Sequence, residues 1–194
     1  MEAIIGSFIL VAASEMGDKT QLLAFSLASR FRKPWVVIAG IFVSTLANHA
    51  LAAAVGDIVS SYVPPRVMAG ILAVLFIAFG LWTLKPDTIE DEESPARFGP
   101  FLTTVVLFFL AEMGDKTQLA TVVMAARYQS LTLVTAGTTL GMMAANVPAV
   151  FLGDKLAAKV QMKWVRWTAA TLFFIFGITS LVAAVRGVQA LGPQ

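Results

Sequence analysis

The sequence predicts an all-α, polytopic membrane protein, with six transmembrane helices arranged as two inverted-topology repeats of three. Three observations carry that expectation. Of the 194 residues, 58% are hydrophobic and 13% charged, and mean hydropathy is +0.80, outside the range of an ordinary soluble domain. Six apolar stretches, at approximately 3–29, 34–56, 65–84, 99–126, 130–152 and 165–185, suit the roughly 20 residues needed to cross a bilayer. The chain also repeats at an offset of 97: Glu15 returns as Glu112, Gly40 as Gly137, Gly56-Asp57 as Gly153-Asp154, and Phe79-Gly80 as Phe176-Gly177. Each half holds an odd number of spans, so the second half must enter the membrane from the opposite side. Asn48 and Asn146 miss this register by one residue.

The first span begins at Met1-Glu2 without a basic leader and carries Glu15 and Asp18 where a signal peptide has its apolar core. It therefore reads as a transmembrane helix rather than a cleavable signal. It ends in Arg30-Phe31-Arg32-Lys33, and Pro34 opens span 2 where a missing N–H is harmless. Span 2 holds Ser44, Thr45, Asn48 and His49 inside an apolar run; an interhelical hydrogen bond suits the lone histidine better than metal ligation. Pro64-Pro65 starts span 3, which closes at Trp82 and Lys85-Pro86. A first repeat, 1–84, is thus joined to a second, 99–194, by an acidic cytoplasmic linker, 85–98, holding Asp87, Glu90, Asp91, Glu92 and Glu93. The linker reads as a solvated loop, with weak cation capture near a pore mouth as the alternative. Pro100 opens span 4, and span 5 contains Thr138, Thr139, Asn146 and Pro148. From Lys155 to Trp167, Lys155, Lys159, Lys163 and Arg166 recur at helical spacing, as in a helix lying on an anionic membrane surface or in a basic loop.

Orientation follows from the loop charges. Loops 1–2, 3–4 and 5–6 carry nine Lys and Arg residues, and the other side carries Arg66, Arg127 and Arg186. The nine-residue side should be cytoplasmic, with both termini outside. Trp35, Trp82, Trp164 and Trp167 lie near the cytoplasmic ends and read as interfacial anchors. The absence of cysteine excludes disulfides and thiolate metal sites. A net charge of +2 with basic residues at span ends is no nucleic-acid signature. Membrane lipid is the expected surroundings, and oligomerisation is left open. No separate catalytic domain fits, and no nucleophile–base pair is visible, so the chain does not read as an enzyme.

The chemistry lies in two copies of one motif, Glu15-Met16-Gly17-Asp18-Lys19-Thr20-Gln21 and Glu112-Met113-Gly114-Asp115-Lys116-Thr117-Gln118. Glu15, Asp18 and Lys19 are the only ionisable residues between Glu2 and Arg30, as are Glu112, Asp115 and Lys116 between Arg97 and Arg127. Both sets fall near mid-span, where a charge costs about 2.5–3.5 kcal/mol on insertion scales and is usually functional. On a continuous helix Glu15 and Asp18 would share a face continued by Gln21, and Lys19 could pair with Glu15. Gly17 would instead permit close backbone approach, or let the helix open and present carbonyls. An inverted repeat makes the two sets face each other. Glu15, Asp18, Glu112 and Asp115 are then candidate ligands, supported by Lys19, Thr20, Gln21, Lys116, Thr117, Gln118, Asn48 and Asn146. These are mainly oxygen donors, so a hard or borderline divalent ion such as Ca²⁺ or Mn²⁺ fits better than copper or zinc. Four carboxylates against two lysines leave −2, which one divalent cation neutralises. Once the cation leaves, clustered carboxylates in low dielectric take up protons, so metal and H⁺ compete.

The duplicated Glu-x-Gly-Asp-Lys-Thr motif resembles that of the small cation/proton exchangers, whose pattern is Glu-x-Gly-Asp-(Lys/Arg)-(Thr/Ser). That family includes the Golgi Ca²⁺/Mn²⁺ transporters and the bacterial manganese exporters. Glu15 to Thr20 and Glu112 to Thr117 match it without departure. The resemblance implies a secondary active transporter moving Mn²⁺, or next Ca²⁺, against protons by alternating access, with no prosthetic group. The short N-terminus resembles the bacterial branch and implies the inner (plasma) membrane. A divalent-cation channel and a membrane scaffold with structural charges are the rival readings.

Overall fold

A computed structural model describes residues 1–84, 98–157 and 162–186, and these are helical almost throughout. The acidic linker, apart from Phe98, lies outside the described residues, as does 158–161 of the expected surface helix. Eight helices are described: α1 (Glu2–Glu15), α2 (Lys19–Phe31), α3 (Pro34–Tyr62), α4 (Pro65–Thr83), α5 (Pro100–Glu112), α6 (Lys116–Tyr128), α7 (Leu131–Ala157) and α8 (Met162–Arg186). Four described stretches are long and apolar enough to cross a membrane: Pro34–Tyr62, Pro65–Thr83, Leu131–Leu152 and Trp167–Arg186. Pro100–Glu112 is a shorter apolar helix. The stretches expected as spans 1 and 4 are each divided into two short helices, α1 with α2 and α5 with α6.

Local chemistry sets the boundaries. Proline opens α3, α4 and α5 at the first turn, where its missing N–H is already outside the helical ladder. α2 and α6 end on left-handed residues, Arg32 (φ 50°) and Gln129 (φ 49°), whose N–H groups return to Ala28 O and Ala125 O. At about 1.5 Å per residue, the 29 residues of α3 reach about 43 Å, enough to cross a bilayer with tilt.

The principal packing runs between the halves rather than within them: α4 on α8, α1 on α7, α3 on α5 and α6, and α2 on α7. Contacts recur at the repeat offset. A Cβ at Gly137 would lie 2.5 Å from Ile4 O, and one at Gly40 would lie 3.1 Å from Phe101 O. A Cβ at Gly80 would strike Phe174, and one at Gly177 would strike Ile77. Small residues thus let facing helices approach closely. Leu51, Ile58, Val74 and Ile178 are more than half exposed, whereas Ser44, Thr45, Asn48, His49, Thr138 and Asn146 are fully buried. An apolar periphery around a polar interior is the pattern of a bundle solvated by lipid. All four tryptophans are at least 40% exposed, as interfacial anchors require.

Candidate metal centre

Each motif breaks its helix in the same way. Glu15 and Glu112 are the last residues of α1 and α5, and Asp18 and Asp115 stand immediately before α2 and α6. Between them Gly17 adopts φ +81° and Gly114 φ +77°, the left-handed region that a Cβ disfavours. The chain therefore opens at the glycine, and Glu15 and Asp18 do not share a continuous helix face.

Opening the helix frees backbone N–H groups from the helical ladder, and side chains take them up. Gly17 N–H donates to Gln21 Oε1 (2.8 Å), and Gly114 N–H donates to Gln118 Oε1 (2.7 Å). The amide nitrogens then tie each break to the opposite repeat. Gln21 Nε2 donates to Ala145 O on α7 (2.8 Å), and Gln118 Nε2 donates to Asn48 Oδ1 on α3 (3.2 Å). Asn48 Nδ2 in turn donates to Phe109 O (3.0 Å), an end carbonyl of α5. Ala145 and Asn48 are themselves 97 residues apart; the repeat partner of Asn146 is His49. The Ala145 carbonyl takes the place of the asparagine amide, a role that backbone chemistry hides from side-chain motifs.

Three carboxylates converge. Glu15, Glu112 and Asp115 each present an oxygen, all three within 4.8 Å of one another, and all three residues are buried. Glu15 accepts from Thr20 Oγ1 (2.8 Å) and from Thr117 Oγ1 of the other repeat. Both oxygens of Glu112 and Oδ2 of Asp115 are buried without a hydrogen-bond partner. Asp18 is drawn to Lys116, whose Nζ lies 2.5 Å from Asp18 Oδ1 in an almost fully buried ion pair. Lys116 N–H also donates to Asp115 Oδ1 (2.8 Å). Lys19, in the first turn of α2, is half-buried. Asn146 is buried on α7, its Nδ2 against Met142 O (3.1 Å) and Met142 Sδ (2.9 Å), its Oδ1 without a partner.

Oxygens less than 4.8 Å apart can share one cation at the roughly 2.3–2.6 Å typical of Ca²⁺–O contacts. Buried carboxylate oxygens with no donor are costly unless a cation or a proton joins them. The N-terminal ends of α2 and α6 meet the C-terminal ends of α1 and α5 at the same level, bringing half-helix dipoles of both signs to the cluster.

A bundle with a lipid-facing apolar surface, two broken helices and buried carboxylates at the breaks belongs to the class of helical membrane transporters. Within that class the chain belongs to the GDT1 family of divalent cation/proton antiporters, whose model matches residues 3–91 and 100–187, two stretches that begin 97 residues apart. It is 45% identical over 181 residues to a Vibrio cholerae protein named "Putative manganese exporter", covering 93% of this chain and 90% of that one. A Synechocystis GDT1-like protein is 30% identical, with 93% and 97% covered. An Arabidopsis thaliana GDT1-like protein is 28% identical, with 95% and 97% covered. No solved structure matches the chain.

Proposed function

We propose that this chain exports Mn²⁺, with Ca²⁺ the next candidate, across the bacterial inner membrane in exchange for protons. The observation that carries the reading is the buried triad Glu15, Glu112 and Asp115, whose Glu112 oxygens lack any hydrogen-bond donor. The name of the Vibrio cholerae relative supports manganese, and oxygen donors without thiolate suit it. In this reading α1 with α2 and α5 with α6 are broken spans. With α3, α4, α7 and α8 they make six crossings in two inverted repeats, and the Lys/Arg asymmetry of the loops places both termini outside.

The mechanism follows from charge. The Lys116–Asp18 pair is internally neutral, leaving three carboxylates to be balanced by Lys19 and one divalent cation. Without the cation, protons must take its place before the site can cross a low-dielectric barrier. Metal and protons therefore occupy the same oxygens in turn, which is the requirement for obligatory exchange. Alternating access opens the site to one side at a time. Asp18 joins the ligand set when Lys116 releases it.

The test is metal flux in proteoliposomes with the pH gradient varied. Uphill metal movement driven by the proton gradient is expected; flux indifferent to that gradient would mark a channel. Glu15→Gln and Glu112→Gln should each abolish most transport, and the double variant should be little worse than either, as for groups acting as one unit. If each variant keeps about half the activity and the losses multiply, the motifs are separate sites and the reading fails.

A further inference from the structure

The two repeats share a pattern but not a state. Arg127, at the end of α6, is 7% exposed. Its guanidinium donates to Ser180 Oγ (2.8 Å), Phe176 O (3.3 Å) and Thr179 Oγ1 (3.3 Å), all on α8. It also lies 5.0 Å from the centre of the Phe176 ring. α1 closes over this junction, since a Cβ at Gly6 would lie 2.7 Å from Tyr128 Oη and 3.4 Å from the Phe176 ring. The residue 97 positions earlier is Arg30 at the end of α2. It is exposed, and its guanidinium sits 5.7 Å from the ring of its neighbour Phe31.

The acceptors for a mirrored docking are nevertheless present on α4. Phe79 corresponds to Phe176 and Thr83 to Ser180. Thr83 is 2% exposed and its hydroxyl has no hydrogen-bond partner. Packing follows the same asymmetry: α4 packs on α6 and α8 on α1, while no comparable packing of α8 on α2 or of α4 on α5 forms among the described residues. The α4–α8 pair is itself symmetric, with Phe76–Phe176 ring centres 5.5 Å apart and the mirrored Phe79–Phe173 centres 6.0 Å apart. A pair bound together in this way can tilt as one body toward either end.

We propose that Arg127 and Arg30 are alternating latches. Arg127 on α8 holds the α1/α6 end of the bundle shut in this state, and Arg30 docks on the Phe79 carbonyl and Thr83 hydroxyl of α4 to shut the opposite end in the other. The planar guanidinium suits the task because it can hold several acceptors at once. The α4 side offers one hydroxyl fewer, since Trp82 stands where α8 has Thr179. The Arg127-latched state is therefore the resting one. The proposal rests on the alternating-access reading above and extends it to named gating residues outside the metal centre.

The chain has no cysteine, so spin labels on introduced pairs report each end cleanly. Gln129→Cys with Ile178→Cys reads the Arg127 end, and Ser29→Cys with Leu81→Cys reads the Arg30 end. Distances are measured in proteoliposomes with and without Mn²⁺, beside proton-driven Mn²⁺ flux. The decisive variant is Thr83→Val, nearly isosteric and removing a hydroxyl that makes no bond in this state. Relief of the orphan hydroxyl would by itself raise the melting temperature and favour this state, so Thr83→Val is read beside Arg30→Gln, whose side chain is exposed here and leaves that hydroxyl in place. The latch predicts for Thr83→Val a melting temperature no lower than that of the wild type, with an Arg30-end-closed population and exchange rate both lower by about tenfold, the worth of one hydrogen bond to a charged group. Arg30→Gln should do the same, and Arg127→Gln should shift populations the other way. Wild-type distances and flux in both Thr83→Val and Arg30→Gln would overturn the latch while leaving the exchanger intact. Loss of proton coupling in the wild type would sink the exchanger, whereas the distance shifts report on the latch alone.

Discussion

Lys19 and Lys116 hold the same place in two copies of one motif and have different surroundings. Lys116 is 3% exposed and paired with Asp18 across the repeats, whereas Lys19 is half-buried. Removing one partner of a buried pair leaves an uncompensated charge and costs about 3–5 kcal/mol, whereas a partly exposed ion pair contributes about 1 kcal/mol or less. Lys116→Gln should therefore lower unfolding stability in detergent far more than Lys19→Gln. Equal losses would mean that the Asp18 pairing does not govern stability. Both lysines were legible in the sequence as mid-membrane charges. Which one pairs, and with which aspartate, was not, because identical motifs carry identical local propensities and only packing across the repeats separates them.

At the scale of the element, the broken helix decides what the motif can do. A glycine inside an apolar run reads equally as a close-packing site in a continuous helix or as a break. The structure opens both copies at positive φ and uses Gln21 and Gln118 to satisfy the freed glycine N–H groups. The consequence is testable at Gly114, where an added Cβ meets nothing within 4 Å. Any cost of Gly114→Ala is thus backbone strain, about 1–2 kcal/mol, which favours closing the break into continuous helix and carries Glu112 away from Asp115. Mn²⁺ binding measured by calorimetry should weaken by about five- to thirtyfold in Gly114→Ala, with the protein still folded. Unchanged binding would show that the break does not shape the site. Gln118→Leu should destabilise by about 0.5–1.5 kcal/mol for each hydrogen bond lost, since it removes the acceptor of the exposed Gly114 N–H and the donor to Asn48; a thermal melt within error of wild type would contradict this role.

At the scale of the whole molecule, metal, protons and stability are linked. A ligand that binds only the folded state stabilises by about 2.7 kcal/mol at a hundred times its Kd. Mn²⁺ should therefore raise the melting temperature, and the rise should shrink as pH falls because protons compete for the same carboxylates. A Mn²⁺-induced shift that grows on acidification would exclude shared oxygens. Topology is a second prediction at this scale: reporter fusions at Gln194 should be active outside the cytoplasm, as the nine-to-three distribution of basic residues requires. The helical class, the apolar spans, the 97-residue repeat and the motif's membership of a cation/proton exchanger family were all decided by the sequence, because hydropathy and spacing are properties of the chain itself. The tertiary structure decided that two of the six runs divide at glycine, that Glu15, Glu112 and Asp115 come together while Asp18 goes to Lys116, and that Arg127 is docked while Arg30 is not. Those outcomes depend on contacts between residues about a hundred positions apart, in two halves that share a motif and a helical pattern but differ at most positions. Hydropathy and spacing give the two halves the same elements, whereas which copy of each motif residue finds a partner is decided by packing in three dimensions.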